Sequence, residues 1–137
     1  MTSELIQLSI DKIMQTAAYT VIILACPKKK IAIFMEPAVG KNIQLFLTDT
    51  VMARPPTHQL LDLIFKGLEV RVKQVVINEV YDTVYHARLF LEQQIGDIRH
   101  ILEIDARPSD CILIALMHNA PIFCSDEVLE KVIAVEE

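Results

Sequence analysis

Residues 111–117 read Cys-Ile-Leu-Ile-Ala-Leu-Met, an unbroken apolar run that begins three residues after a proline and ends before His118 and Asn119. A helix opened by Pro108 fits this run, because proline lacks the N–H that a first helical turn leaves unpaired. Asn119 can close it in the left-handed conformation. A helix that is apolar all round has no stripe to offer to water, so the rest of the chain must wrap it. Seven residues fall far short of the ~20 needed to cross a bilayer, and so does the other long apolar run, residues 19–26. In a chain of 137 residues this helix has to be the centre of a single domain, residues 1–137.

The material around it has mostly the period of strands. Residues 4–13 alternate, with Ile6, Leu8 and Ile10 on one side. Residues 19–26 are a continuous, largely β-branched run, which predicts a central strand. Pro27 and Lys28–Lys30 make a charged turn, and residues 31–35 return to complete a hairpin. From Pro37 the period becomes helical, with Val39, Ile43, Phe46 and Leu47 on one face, although Gly40 weakens that pattern. A second helix follows Pro55-Pro56, with Leu60, Leu61, Ile64 and Leu68 on one face and an Asp62–Lys66 pair. Residues 70–80, 83–92 and 99–105 then read as an antiparallel meander with turns at 81–82 and 93–97. In the first of these strands Val70, Val72, Gln74, Val76 and Asn78 share a face. After the apolar helix come a short strand at 121–124 and a terminal helix whose N-cap is Ser125. The order β-β-β-α-α-β-β-β-α-β-α predicts an α+β fold: a largely antiparallel or mixed sheet of six or seven strands with three to four helices.

Apolar residues make up 53% of the chain, enough for a core and more than so short a chain readily covers, so a homo-oligomer, most simply a homodimer, is expected. The net charge of −5 argues against an obligate nucleic-acid coat and against an anionic-membrane binder. The charge is unevenly spread: residues 1–80 carry nine basic and seven acidic groups, residues 81–137 four and eleven. Cys26, Cys111 and Cys124 are odd in number, widely spaced and set in apolar runs, which predicts buried reduced thiols and a cytoplasmic setting, with no zinc pattern. The opening Met-Thr-Ser-Glu-Leu-Ile-Gln lacks a basic start and an apolar signal core, so a soluble protein without a membrane role is expected.

One short pattern occurs twice. Residues 53–57 read Ala-Arg-Pro-Pro-Thr and residues 106–109 read Ala-Arg-Pro-Ser. Each sets an arginine, held extended by the proline that follows, at the mouth of a helix. The positive end of a helix disfavours a cation by ~0.3–1 kcal/mol unless an anion bridges the two. Either an internal carboxylate, Asp105 or Asp110, or a bound anion could fill that role for Arg54 and Arg107, with Thr57 and Ser109 as hydroxyl donors. His58 and Asp62 lie one turn apart and could share a ligand or a proton. Glu103 and Asp105 point to one side of a strand, and Asp110 opens the apolar helix. Carboxylates, a histidine and two arginines are the components of metal-assisted phosphodiester cleavage. The same residues serve equally as caps and internal ion pairs. Tyr85, His86 and Arg88 read as ordinary strand alternation, and Lys28–Lys30 as a solvated hairpin tip.

The stretches Arg54-Pro55-Pro56-Thr57-His58-Gln59-Leu60-Leu61 and Ile104-Asp105-Ala106-Arg107-Pro108-Ser109-Asp110, the latter continuing to Ala120-Pro121-Ile122 and Glu127-Val128-Leu129, resemble the bifunctional nuclease domain family of bacteria and plants. The resemblance covers roughly residues 5–133. It implies DNase and RNase activity on a nucleic-acid partner, in a bacterial and cytoplasmic protein. It also implies that His58, Asp105 and Asp110 are catalytic, that Arg54, Thr57, Arg107 and Ser109 bind phosphate, and that Mg²⁺ or Mn²⁺ assists. Gln59 stands where the family has an acid, and Glu36 and Val39 stand where it has glycine and glutamate. Two possible metal ligands are thereby absent. The alternative reading is a non-catalytic homo-oligomeric binding or assembly module. In that case Arg54 and Arg107 are salt-bridged to Asp110 and Asp105, and Arg107→Ala is expected to cost ~3–5 kcal/mol by stranding a buried carboxylate.

Overall fold

The computed structural model describes residues 4–49, 57–82 and 84–132. Its element order is β1 (Leu5–Gln15), β2 (Thr20–Ala25), β3 (Lys30–Met35), α1 (Pro37–Leu47), α2 (Thr57–Gly67), β4 (Val70–Tyr81), β5 (Val84–Ile95), β6 (Ile98–Ala106), α3 (Pro108–Met117), β7 (Ile122–Ser125) and α4 (Asp126–Lys131). This is the order that the alternating periods predict. The seven strands form one mixed sheet in the order β3-β2-β1-β7-β4-β5-β6. Every neighbouring pair is antiparallel except β4 and β7.

α3 is the hub. Ser109 and all residues from Cys111 to Ala115 are buried, as an all-round apolar helix requires. It touches α1, α2, β4 and β5, and also β3 at the far edge of the sheet. A sheet that brings its edge strand β3 and the distant β4 and β5 to one helix must curl around it, and the right-handed twist of strands supplies that curl. The core is correspondingly aliphatic, with Ile22, Leu24, Ile31, Ile43, Val75, Ile77 and Ile112 fully enclosed.

Two details depart from the expected alternation. In β4 the ladder to β5 skips between Val72 and Gln74 and again between Ile77 and Glu79. The extra residue at Lys73 is a bulge that reverses the parity as far as Ile77, and the second skip, at Asn78, reverses it again. Val75 and Ile77 therefore stand opposite Leu89 and Ala87 on the core side, in place of the expected Gln74 and Val76. The turn expected at 93–97 is shorter, because β5 stays extended to Ile95 and only Gly96 and Asp97 make the reversal, with Gly96 at φ 61°.

Gly40 is a packing requirement within α1. A Cβ there would lie 2.1 Å from Thr20 Oγ1, and Thr20 is fully buried. The basic turn at 28–30 is likewise structural in part. Lys29 Nζ donates to the carbonyls of Leu129 and Val132, the latter at 2.8 Å, and so caps the negative end of α4. Asn119 ends α3 at φ 52°, and Ser125 Oγ accepts from Val128 N at 3.2 Å to cap α4. The cysteines are free, with Cys111 and Cys124 buried and Cys26 half-buried. Among the described residues no helix is long and apolar enough to cross a membrane.

Candidate functional site

β6 delivers its last residues directly into α3, and Asp105, Arg107 and Asp110 meet at that junction. Arg107 is the N-cap residue, extended at φ −65° and ψ 142°, and Pro108 follows at the first helical position. No side chain caps this helix start. Asp110 in the first turn meets the positive end of the helix and also takes the arginine: Nε donates to Oδ2 at 2.9 Å and Nη2 to Oδ1 at 3.2 Å. Of the two internal partners expected for Arg107, Asp110 is the one it uses. The pair remains open to solvent, with 64% of the Arg107 side chain and 44% of Asp110 exposed. Hydrogen bonding and charge from Asp110, with a smaller contribution from Glu36, hold the guanidinium even more firmly protonated than usual.

Two cavities share Arg107 as a wall. One of about 500 Å³ is lined by Val84, Tyr85, His86, Asp105, Ala106, Arg107, Pro108 and Asp110. Its neighbour of about 320 Å³ lies between Ile33–Glu36 and Val84, Tyr85 and the start of α3. Asp105, Arg107 and Asp110 are thus brought together at one open cavity, as expected from their positions at a strand end and a helix start. Ser109 lies buried behind them on the smaller cavity. Asp105 is exposed and stands opposite Arg88 in the β5–β6 ladder.

The other expected members are not among the described lining of these cavities, Ser109 aside. Arg54 lies outside the described residues. Thr57 and His58 open α2 and are absent from the described lining of either cavity. His58 is buried, and burial lowers its pKa, which keeps the ring neutral. Asp62 engages His118 Nε2 at 3.2 Å and Lys66 Nζ at 2.9 Å, so its expected partner Lys66 is confirmed and His118 is a second one. That contact docks α2 against the C-terminal end of α3, about 15 Å along the helix from Arg107.

Three residues at the cavities escaped the sequence reading. Tyr85 and His86 looked like strand alternation, but they lie where β5 passes the end of β6. Burial pushes the Tyr85 phenol up. Glu36 had a legible signal: Glu36-Pro37 repeats the geometry of Arg107-Pro108, extended at φ −63° and ψ 146° before a proline-led helix. The curl of the sheet brings those two helix starts to one cavity.

Among the described residues no group of three or more His, Cys, Asp or Glu side chains stands close enough to hold a metal ion. Asp105 and Asp110 share a cavity, but Asp110 already accepts both hydrogen bonds from Arg107. This donor set does not fit a Mg²⁺ or Mn²⁺ centre, which takes about six oxygen ligands.

Comparison with known proteins agrees with the motif. The chain is 37% identical over 71 residues to bifunctional nuclease 2 of Oryza sativa subsp. japonica, a match covering 52% of this chain and 22% of the rice protein. It is 32% identical over 78 residues to an uncharacterized protein of Mycobacterium tuberculosis, covering 57% of this chain and 43% of that one. The chain thus spans less than half the length of either relative. The profile of the bifunctional nuclease domain matches residues 22–137, from β2 through the Arg107–Asp110 junction, and the chain belongs to that family.

Proposed function

We propose that the cavity at the β6–α3 junction binds a phosphodiester and that the domain acts on nucleic acid as a nuclease. The observation that carries this reading is the meeting of Asp105, Arg107 and Asp110, all from the family-like motif, at one solvent-open cavity. Arg107 supplies the cation for the phosphate, exchanging its grip on Asp110 for the incoming anion. The family resemblance assigns Arg54, Thr57 and Ser109 to phosphate contacts; Ser109 borders the smaller cavity, whereas Thr57 is in the described lining of neither. Asp105 and Asp110 are the candidate proton acceptors for an attacking water. In this reading the proton-transfer role expected of His58 passes to His86, because His86 lines the cavity. The free cysteines support a cytoplasmic setting, and the uncovered apolar surface supports a homo-oligomer.

A second reading, a non-catalytic binding or assembly module, draws on the same Arg107–Asp110 pair, which satisfies the arginine without any ligand. Cleavage of end-labelled single- and double-stranded oligonucleotides, DNA and RNA, with added Mg²⁺ or Mn²⁺ and with a chelator, separates the two. The nuclease reading expects Asp105→Asn and Asp110→Asn to lower the rate at least 100-fold with unchanged melting temperature. Cleavage that survives both substitutions, or a pure protein that binds oligonucleotides without cutting them, sinks it in favour of the second.

A further inference from the structure

The described edge of the sheet at β6 is long and regular, and charges are the one guard it carries. Natural edge strands carry lysines, prolines or bulges, or stay short, because an open row of N–H and C=O groups recruits another strand. β6 has nine residues, no lysine and no proline, and its ladder to β5 runs from Ala106 to Ile98 without a register shift. The opposite edge, β3, is six residues long and opens with Lys30 after Lys28 and Lys29. β6 also exposes apolar side chains on both faces, Ile98 at 62% and Leu102 at 56% on the helix side and Ile101 at 46% on the other. Beside it lies a cavity of about 610 Å³, walled by Ile64, Phe65 and Leu68 of α2 and by Leu91, Leu102 and Ile104. α2 adds Leu60 and Leu63, both more than half exposed.

The charges on β6 decide what covers this edge. Its basic groups, Arg99 and His100, stand at the start, and its acids, Glu103 and Asp105, at the end. A parallel copy would set like against like. An antiparallel copy sets Arg99 opposite an acid, a favourable cross-strand pair. A two-fold axis along the sheet normal keeps both copies' helices on one side, so residues of equal parity face each other. Centred on Ile101, the pairing puts Arg99 opposite Glu103, Ile98 opposite Ile104, His100 opposite Leu102 and Ile101 against its own copy. Within one chain Arg99 holds Glu92 at 3.2 Å, and Glu103 meets Arg88 only at 3.9 Å, and both side chains are more than half exposed.

We infer that β6 is the docking edge for a second copy of this chain, joining two sheets antiparallel about Ile101 and closing the apolar groove beside α2. The two α2 helices then face each other across the axis with Leu60, Leu63, Ile64 and Leu68 between them. Asp105 lies on the same strand, so the two candidate cavities flank the interface.

The test is the mass of the full chain by light scattering and by sedimentation from about 1 to 100 μM, with circular dichroism melts beside it. The wild type is expected to be a dimer. Leu102→Lys sets a charge in the middle of the edge at an already exposed position and is expected to yield a folded monomer. Arg99→Glu is expected to raise the dimer dissociation constant at least tenfold. Arg99→Glu combined with Glu103→Arg is expected to restore dimerisation, even though Glu92 then faces the new acid and Arg88 the new base. A wild type with the mass of one chain throughout overturns the proposal. So does a dimer that Leu102→Lys leaves intact, and failure of the double exchange to restore association overturns the register. None of these readouts involves cleavage, so this interface and the nuclease reading stand or fall separately.

Discussion

Arg107 and Asp110 hold each other across the first turn of α3 through two hydrogen bonds of 2.9 and 3.2 Å, in full view of solvent. The helix start would repel the arginine alone; the aspartate three residues on makes its position tolerable. Because the pair is exposed, it is a switchable contact, and either member can be taken up by a ligand.

Exposure sets the size of the first effect. Arg107→Ala is expected to cost no more than about 1 kcal/mol, the range of surface ion pairs. The ~3–5 kcal/mol loss expected for a buried carboxylate left alone does not apply, because Asp110 keeps its contact with water. Thermal melts check this. In oligonucleotide binding at low salt, Arg107→Ala weakens affinity at least tenfold if the cavity takes phosphate. Asp110→Asn frees the arginine and strengthens binding while slowing cleavage. An unchanged affinity in both variants removes the phosphate assignment.

Gly40→Ala should be among the most damaging small substitutions. Its Cβ would lie 2.1 Å from Thr20 Oγ1 and 2.3 Å from Thr20 Cβ, on a residue with no room to move. Forced overpacking of this kind costs about 1–3 kcal/mol. Urea denaturation should show a lower midpoint, and Thr20→Ser should not rescue it, because the clash with Cβ remains.

Burial of His58 makes stability depend on pH. Its folded pKa lies below the ordinary 6.5, so between those two values the unfolded chain binds more protons. Stability from this source is therefore complete above pH 6.5 and is lost as the pH falls through the window toward the folded pKa. His58→Gln should flatten that part of the stability–pH curve. An unaltered slope in chemical denaturation from pH 7 to 5 would show that His58 is not its source.

Native thiol chemistry should be selective. Burial, reinforced by the nearby carboxylates of Asp110 and Asp105, pushes Cys111 up to about 12. Burial and neighbouring charge push Cys124 up to about 11. Thiolates are the reactive form, so both should resist iodoacetamide at pH 8. Half-buried Cys26 should react first, with Cys111 and Cys124 labelled only in denaturant, as mass spectrometry of timed samples would read out.

Much of this fold was legible because hydrophobic period reports local geometry directly. The run at 111–117 could only be an enveloped helix, and the runs at 70–80, 83–92 and 99–105 read as the antiparallel strands they are. β4 resisted because two extra residues, at Lys73 and Asn78, each reverse parity, and nothing in their side chains announces that. Asp105, Arg107 and Asp110 could be grouped in advance because six residues of continuous chain connect them. Tyr85 and His86 could not, because they reach that cavity from β5, and Glu36 borders only its smaller neighbour, from the start of α1.

By itself the sequence determined the order of elements, the identity of the central helix, the proline-led helix starts and the family-like motif. All of these are set by neighbours along the chain, through dihedral restriction and burial periodicity. Only the tertiary structure decided that the sheet curls around α3, that Glu36 and Arg107 border one cavity, that Asp62 goes to His118, and that β6 is an open edge among the described residues. Those outcomes depend on strand order and twist, which act between residues far apart in the chain and leave no mark on local pattern.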